Sequence, residues 1–235
     1  MNTRFQIGRV AGIALDVHWT FALLLAWIGL DALLSTGNLA VVAAELAFVV
    51  LLFGAVLLHE LGHAFMARQF GVGTRAITLM PIGGVAQMDG MPARPAHEML
   101  VALAGPAVNM ALATVLLPLT LAFSGPEALL TGHGLFAHLL WANVGLALFN
   151  LLPAFPMDGG RVLRSALTMM YGPQAATATA ASVGQGVAVA MGVVGLFTSP
   201  MLVLIAVFVW MQAEREAQLP RVIRVQRIER YDPWR

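Results

Sequence analysis

Apolar residues in this chain run in long unbroken stretches, with neither the period of a strand nor that of a half-buried helix. Six stretches are long enough, or nearly so, to cross a bilayer, which takes about 20 apolar residues in helical form. Val17–Leu34 is the first, interrupted only by Asp31. Leu39–Phe70 is the second and carries Glu45, His59, Glu60, His63 and Arg68. Leu100–Phe123 and Leu135–Leu152 are the third and fourth. Residues 165–213 hold no Asp, Glu, Lys or Arg, too long for one crossing, and Thr198-Ser199-Pro200 divides them. The fifth and sixth spans are then Ala176–Phe197 and the shorter Met201–Ala213. The apolar stretch near the start is too long for a cleaved signal and is read as a retained span.

The polar connections set the orientation. All 13 basic residues are Arg. Arg4 and Arg9 precede span one, Arg68, Arg75 and Arg94 surround the second connection, and Arg161 and Arg164 follow span four. The other six lie beyond span six, and the alternate connections have none. An Arg bias of this kind marks the cytoplasmic side, so both termini are expected there. Composition agrees: 59% of the 235 residues are hydrophobic and 11% charged, against about half and a quarter in soluble domains. A soluble enzyme, a disordered chain and a coiled coil are excluded. The net charge of +1 argues against a nucleic-acid partner. With no Cys there is no thiolate metal site and no disulfide. The Gly186/Ala190 and Ala188/Gly192 pairs in span five point to close helix packing. No internal repeat is seen.

The strongest chemical signal is His59-Glu60-Leu61-Gly62-His63. On a helix, residues four apart share a face, so both imidazoles can point at one metal. Glu60 stands about 60° around from His63, where a carboxylate can take a proton from a metal-bound water. The motif lies on the inner part of a spanning helix, where ionisable groups are costly unless used. A catalytic zinc takes three protein ligands and keeps one position open. No third donor lies nearby in sequence. His18 reads as an interfacial anchor beside Trp19, and His133 and His138 fall on the wrong side or at the wrong depth. His97 is on the correct side. Asp158 is better placed, because span four runs in the same direction as span two. It sits in Asn150-Leu151-Leu152-Pro153-Ala154-Phe155-Pro156-Met157-Asp158-Gly159-Gly160-Arg161, where prolines break the helix and glycines permit unusual backbone.

HELGH at 59–63, Gly105-Pro106-Ala107-Val108-Asn109 in span three and NLLPAFPMDGGRVLR at 150–164 resemble the site-2 protease family of intramembrane zinc metalloproteases. Within it the six-span layout is similar to the prokaryotic, sporulation-type branch. The resemblance implies His59, His63 and Asp158 as zinc ligands, Glu60 as catalytic base, and Asn150 as a residue that binds substrate or stabilises the oxyanion. Asn109 matches a motif residue whose role could equally be a hydrogen bond between helices. Residues 75–89 read as β, and the resemblance implies a membrane-associated β-hairpin or re-entrant loop near the site. A strand edge there could pair with an unwound substrate.

The resulting expectation is an α-helical polytopic membrane protein: a six-span protease core over residues 1–219 and an Arg-rich cytoplasmic tail over 220–235. No loop has room for the PDZ domain of many relatives. Only about twenty residues follow span six, so the paired CBS domains are absent or the chain is a truncated core. One zinc, an inner-membrane location and a single-pass transmembrane substrate are expected. A zinc protease of soluble proteins, an idle zinc-binding membrane scaffold and a metal transporter are the rival readings.

Overall fold

The computed structural model describes residues 4–230, with side chains described through residue 218. The order is β1 (Arg4–Val10), β2 (Ile13–His18), α1 (Trp19–Thr36), α2 (Leu39–Gln69), β3 (Thr74–Met80), β4 (Gly83–Met88), α3 (Pro95–Ser124), α4 (Ala128–Thr131), α5 (Leu135–Asn150), α6 (Asp158–Tyr171), α7 (Pro173–Thr198) and α8 (Pro200–Arg230). By length and composition α1, α2, α3 and α7 can each cross a membrane, and α5 is a shorter apolar helix. The chain is therefore a multi-pass α-helical membrane protein with a small sheet. Trp234, within the expected tail, lies outside the described residues.

The spans begin and end where local chemistry dictates. The His18 ring accepts the Thr20 N–H at the start of α1, so this residue caps a helix. Asn38 Oδ1 accepts the Ala40 N–H at 2.9 Å and opens α2. Gly37, with φ of 62°, allows the tight turn between the two helices. Ser199 adopts extended backbone and separates α7 from α8, at the expected break.

Contacts group the chain into two compact units, Met1–Pro92 with Ala104–Leu148 and Ala93–Leu103 with Phe149–Arg235. The first holds a four-stranded sheet in the order β1-β2-β3-β4. β1 and β2 are antiparallel, β2 and β3 parallel, and β3 and β4 antiparallel. Parallel neighbours need a long crossover, and here α1 and α2 provide it. The hairpin expected at 75–89 is present as β3 and β4. The β1–β2 hairpin was not expected. Its Ala11-Gly12 turn has positive φ at both residues, 50° and 89°, the form that suits a two-residue hairpin. Span one accordingly starts at Trp19 and not at Val17.

The sheet packs on one face of α2. Ile13, Leu15 and Ile77 meet Leu61 and Ala64, with Leu57 and Ala86 beside them. Leu61 lies about 200° around the helix from His59. The sheet therefore clamps the face of α2 opposite the histidines.

In the second unit α7 lies against α8. Ala188 is buried, and a Cβ on Gly192 would touch the Ala206 methyl at 3.7 Å. Close packing thus holds for Ala188/Gly192. Gly186 has nothing within 4 Å of its Cβ position, so the Gly186/Ala190 pair serves no close contact in the described residues.

Candidate metal centre

The first unit presents two imidazoles from α2. His59 and His63 are buried, and their Nε2 atoms converge to 3.1 Å. Helical spacing alone accounts for this, because the two residues are one turn apart on one face. The neighbouring α3 comes close because both helices carry glycine at the crossing. A Cβ on Gly62 would meet Ala104 O at 2.9 Å and a Val108 methyl at 2.8 Å. A Cβ on Gly105 would lie 2.6 Å from His59 Nε2 and closer still to His63 Nε2. Position 105 therefore needs glycine, because any Cβ there would displace the tips of both imidazoles. Zinc bonds imidazole nitrogen at about 2.0–2.1 Å, so two ring nitrogens 3.1 Å apart can both reach one ion. One turn beyond Gly105, the buried Asn109 sets its Oδ1 3.0 Å from His59 Nδ1.

Glu60 is half-buried and lies against β4. A Cβ on Gly84 would meet Glu60 Cγ at 2.6 Å and Oε1 at 3.4 Å. The strand thus comes near the carboxylate only because this position has no side chain.

The second unit presents Asp158, the buried first residue of α6. A carboxylate is favoured in the first turn of a helix. The preceding loop is tightly folded: Ala154 N–H donates to Leu152 O at 2.7 Å and Met157 N–H to Ala154 O at 3.0 Å. Ala154 and Met157 pack with Ala188 and Val209. Glycine is required after Asp158. A Cβ on Gly159 would collide with the carbonyls of Leu151 and Leu152, and one on Gly160 would lie 2.7 Å from Ala154 O. Arg164 fastens the same loop. Its guanidinium pairs with Glu98 of α3 and Glu216 of α8 and lies 5.7 Å over the Phe155 ring.

His59, His63 and Asp158, each offering one ligand atom, make a group that could hold a metal ion. His97, in the first turn of α3, is not in that group. His138 instead packs edge-on to Phe48, with ring centroids 5.8 Å apart. Asn150 is the half-buried last residue of α5, eight residues before Asp158. The shaping roles of Gly84 and Gly105 and the partner of Asn109 were not anticipated. No local pattern in the sequence marked them.

These features define a class: a multi-pass membrane protein with a paired-histidine metal site on a spanning helix. The model of Peptidase family M50 matches residues 47–133 and 128–194, and the chain belongs to this family, that of the site-2 proteases. It is 39% identical over 230 residues to a zinc metalloprotease of Methanocaldococcus jannaschii, covering 97% of this chain and 64% of that protein. It is 34% identical over 204 residues to the "Putative zinc metalloprotease Rip3" of Mycobacterium tuberculosis, covering 83% of this chain and 52% of that one. The chain thus spans between half and two-thirds of the length of these relatives. The solved site-2 protease of M. jannaschii matches with a TM-score of 0.63 at 35% identity, over 91% of this chain and 95% of that one.

Proposed function

We propose that the chain is an intramembrane zinc metalloprotease that hydrolyses a peptide bond in or near a transmembrane helix of a membrane-protein substrate. The observation that carries the reading is the pair of Nε2 atoms 3.1 Å apart, with a carboxylate on the same helix. In this reading His59, His63 and Asp158 hold the zinc. When bound, zinc lowers the pKa of its water toward about 7 and polarises the scissile carbonyl. Glu60 takes the proton of the attacking water and delivers it to the leaving amine. The Asn150 amide is a donor suited to the developing oxyanion. The substrate is a single-pass transmembrane protein whose helix must unwind locally before its backbone can be cut. The Arg distribution supports cytoplasmic termini, a site toward the cytoplasm and an inner-membrane location.

The test is cleavage of a reconstituted single-pass substrate by wild type and Glu60→Gln, with zinc content measured on both. Each should hold one zinc per chain, and turnover in the variant should fall by roughly 10²–10⁴-fold, the usual worth of a general base. Equal cleavage would remove Glu60 from the mechanism. Full zinc loading with no cleavage by either protein, across a panel of transmembrane substrates, would favour a scaffold or a transporter.

A further inference from the structure

We propose that Asn109 is a positioning residue that fixes the His59 tautomer and so sets the affinity of the site for zinc. A histidine that binds metal through Nε2 must carry its proton on Nδ1. His59 Nδ1 lies 3.0 Å from Asn109 Oδ1. An amide oxygen only accepts, so Nδ1 donates and Nε2 keeps its lone pair free for a metal, 3.1 Å from His63 Nε2. The opposite orientation of the amide would put Nδ2 on the ring and leave Nε2 protonated, facing His63 Nε2 at 3.1 Å. That ring could not serve as a ligand.

The amide holds its orientation against its own hydrogen-bonding needs. Asn109 is fully buried, and its Nδ2 has no hydrogen-bond partner among the described residues. A residue serving only to tie helices together would be expected to use its donor end as well. The sequence explains the placement. Gly105 and Asn109 are one turn apart on α3, so a single face makes room for the tips of the two imidazoles and orients one of the rings. The GPAVN run is thus a site element that works through the histidines of α2.

This inference rests on the zinc reading above, and the experiment separates the two. Zinc affinity is measured by chelator competition for wild type, Asn109→Leu and Asn109→Asp, together with the thermal midpoint of each metal-free protein. The leucine has similar volume and no acceptor, and the aspartate keeps the acceptor. Asn109→Leu should weaken zinc about 10–100-fold, as is usual when a ligand loses its hydrogen-bonding partner. Asn109→Asp should stay near wild type, and the midpoints should not follow the affinities. Equal zinc affinity for wild type and leucine, or equal weakening in both variants, would overturn the assignment. A wild type that binds no zinc would remove the underlying reading as well. A measurement without variants guards against misfolding: nitrogen-15 histidine spectra of the zinc-loaded protein should show His59 protonated at Nδ1, and a bare Nδ1 would overturn the proposal.

Discussion

His59 and His63 stand on an unbroken helix of 31 residues, whereas Asp158 opens a helix after a loop folded back beneath it. The histidines need only the pitch of α2 and a glycine on the facing helix. Asp158 needs Gly159 and Gly160, the buried Ala154 and Met157, and an arginine paired with two glutamates. Regular backbone positions a ligand at little cost, because its hydrogen bonds are already made within the helix. Irregular backbone within an apolar protein has to satisfy its polar groups and fit its neighbours at every step. The two regions should therefore respond to mutation differently: in fold around Asp158, and in metal binding around the histidines.

The largest effect is expected at Gly159. An added Cβ there meets main-chain carbonyls, which cannot swing aside. Gly159→Ala should destabilise the protein by about 3 kcal/mol or more and lose zinc and proteolysis together, as measured by thermal unfolding and metal content. Retention of the wild-type midpoint would show that the loop is softer than its packing implies.

A smaller and more selective effect is expected at Gly105. Its added Cβ meets the tips of two imidazoles, which can rotate away, and not backbone. Gly105→Ala should weaken zinc at least tenfold, an effect like that of losing a ligand's supporting contact. The thermal midpoint of the metal-free protein should move by only a few degrees, as for a change of about 1 kcal/mol. If zinc binds as in wild type, the ring positions do not depend on glycine at 105. If the midpoint collapses instead, the contrast between the two regions fails.

The same contrast explains what could be read from the amino-acid order. His59, Glu60 and His63 were legible because helical spacing converts directly into geometry. The first, second, third and fifth spans were legible because unbroken apolar runs leave a helix few alternatives in lipid, whereas the fourth forms a shorter apolar helix and the sixth is part of α8, which is not among the four long apolar helices of the described residues. The β3–β4 hairpin showed through Ile77–Met80 and the glycines after it. The β1–β2 hairpin did not, because the apolar residues of Phe5–Val17 read as the approach to a span, and the Ala11-Gly12 turn is a weak mark. α6 was also missed. Residues 165–171 belong to a stretch without charge, and its amphipathic start at Asp158–Arg164 looked like a helix end. The partner of Asn109 lies 50 residues away in sequence, and no local pattern specifies a contact of that kind. Gly84 and Gly105 were equally silent, since a glycine's reason appears only when its neighbours are in place.

If His59, His63 and Asp158 hold one zinc, two imidazoles and a carboxylate from the start of a helix surround it. Zinc K-edge absorption on the purified protein tests this arrangement most directly. One zinc per chain is expected, with scattering from two imidazoles and the remaining donors oxygen. No stoichiometric zinc, or a bound zinc without imidazole scattering, would contradict it.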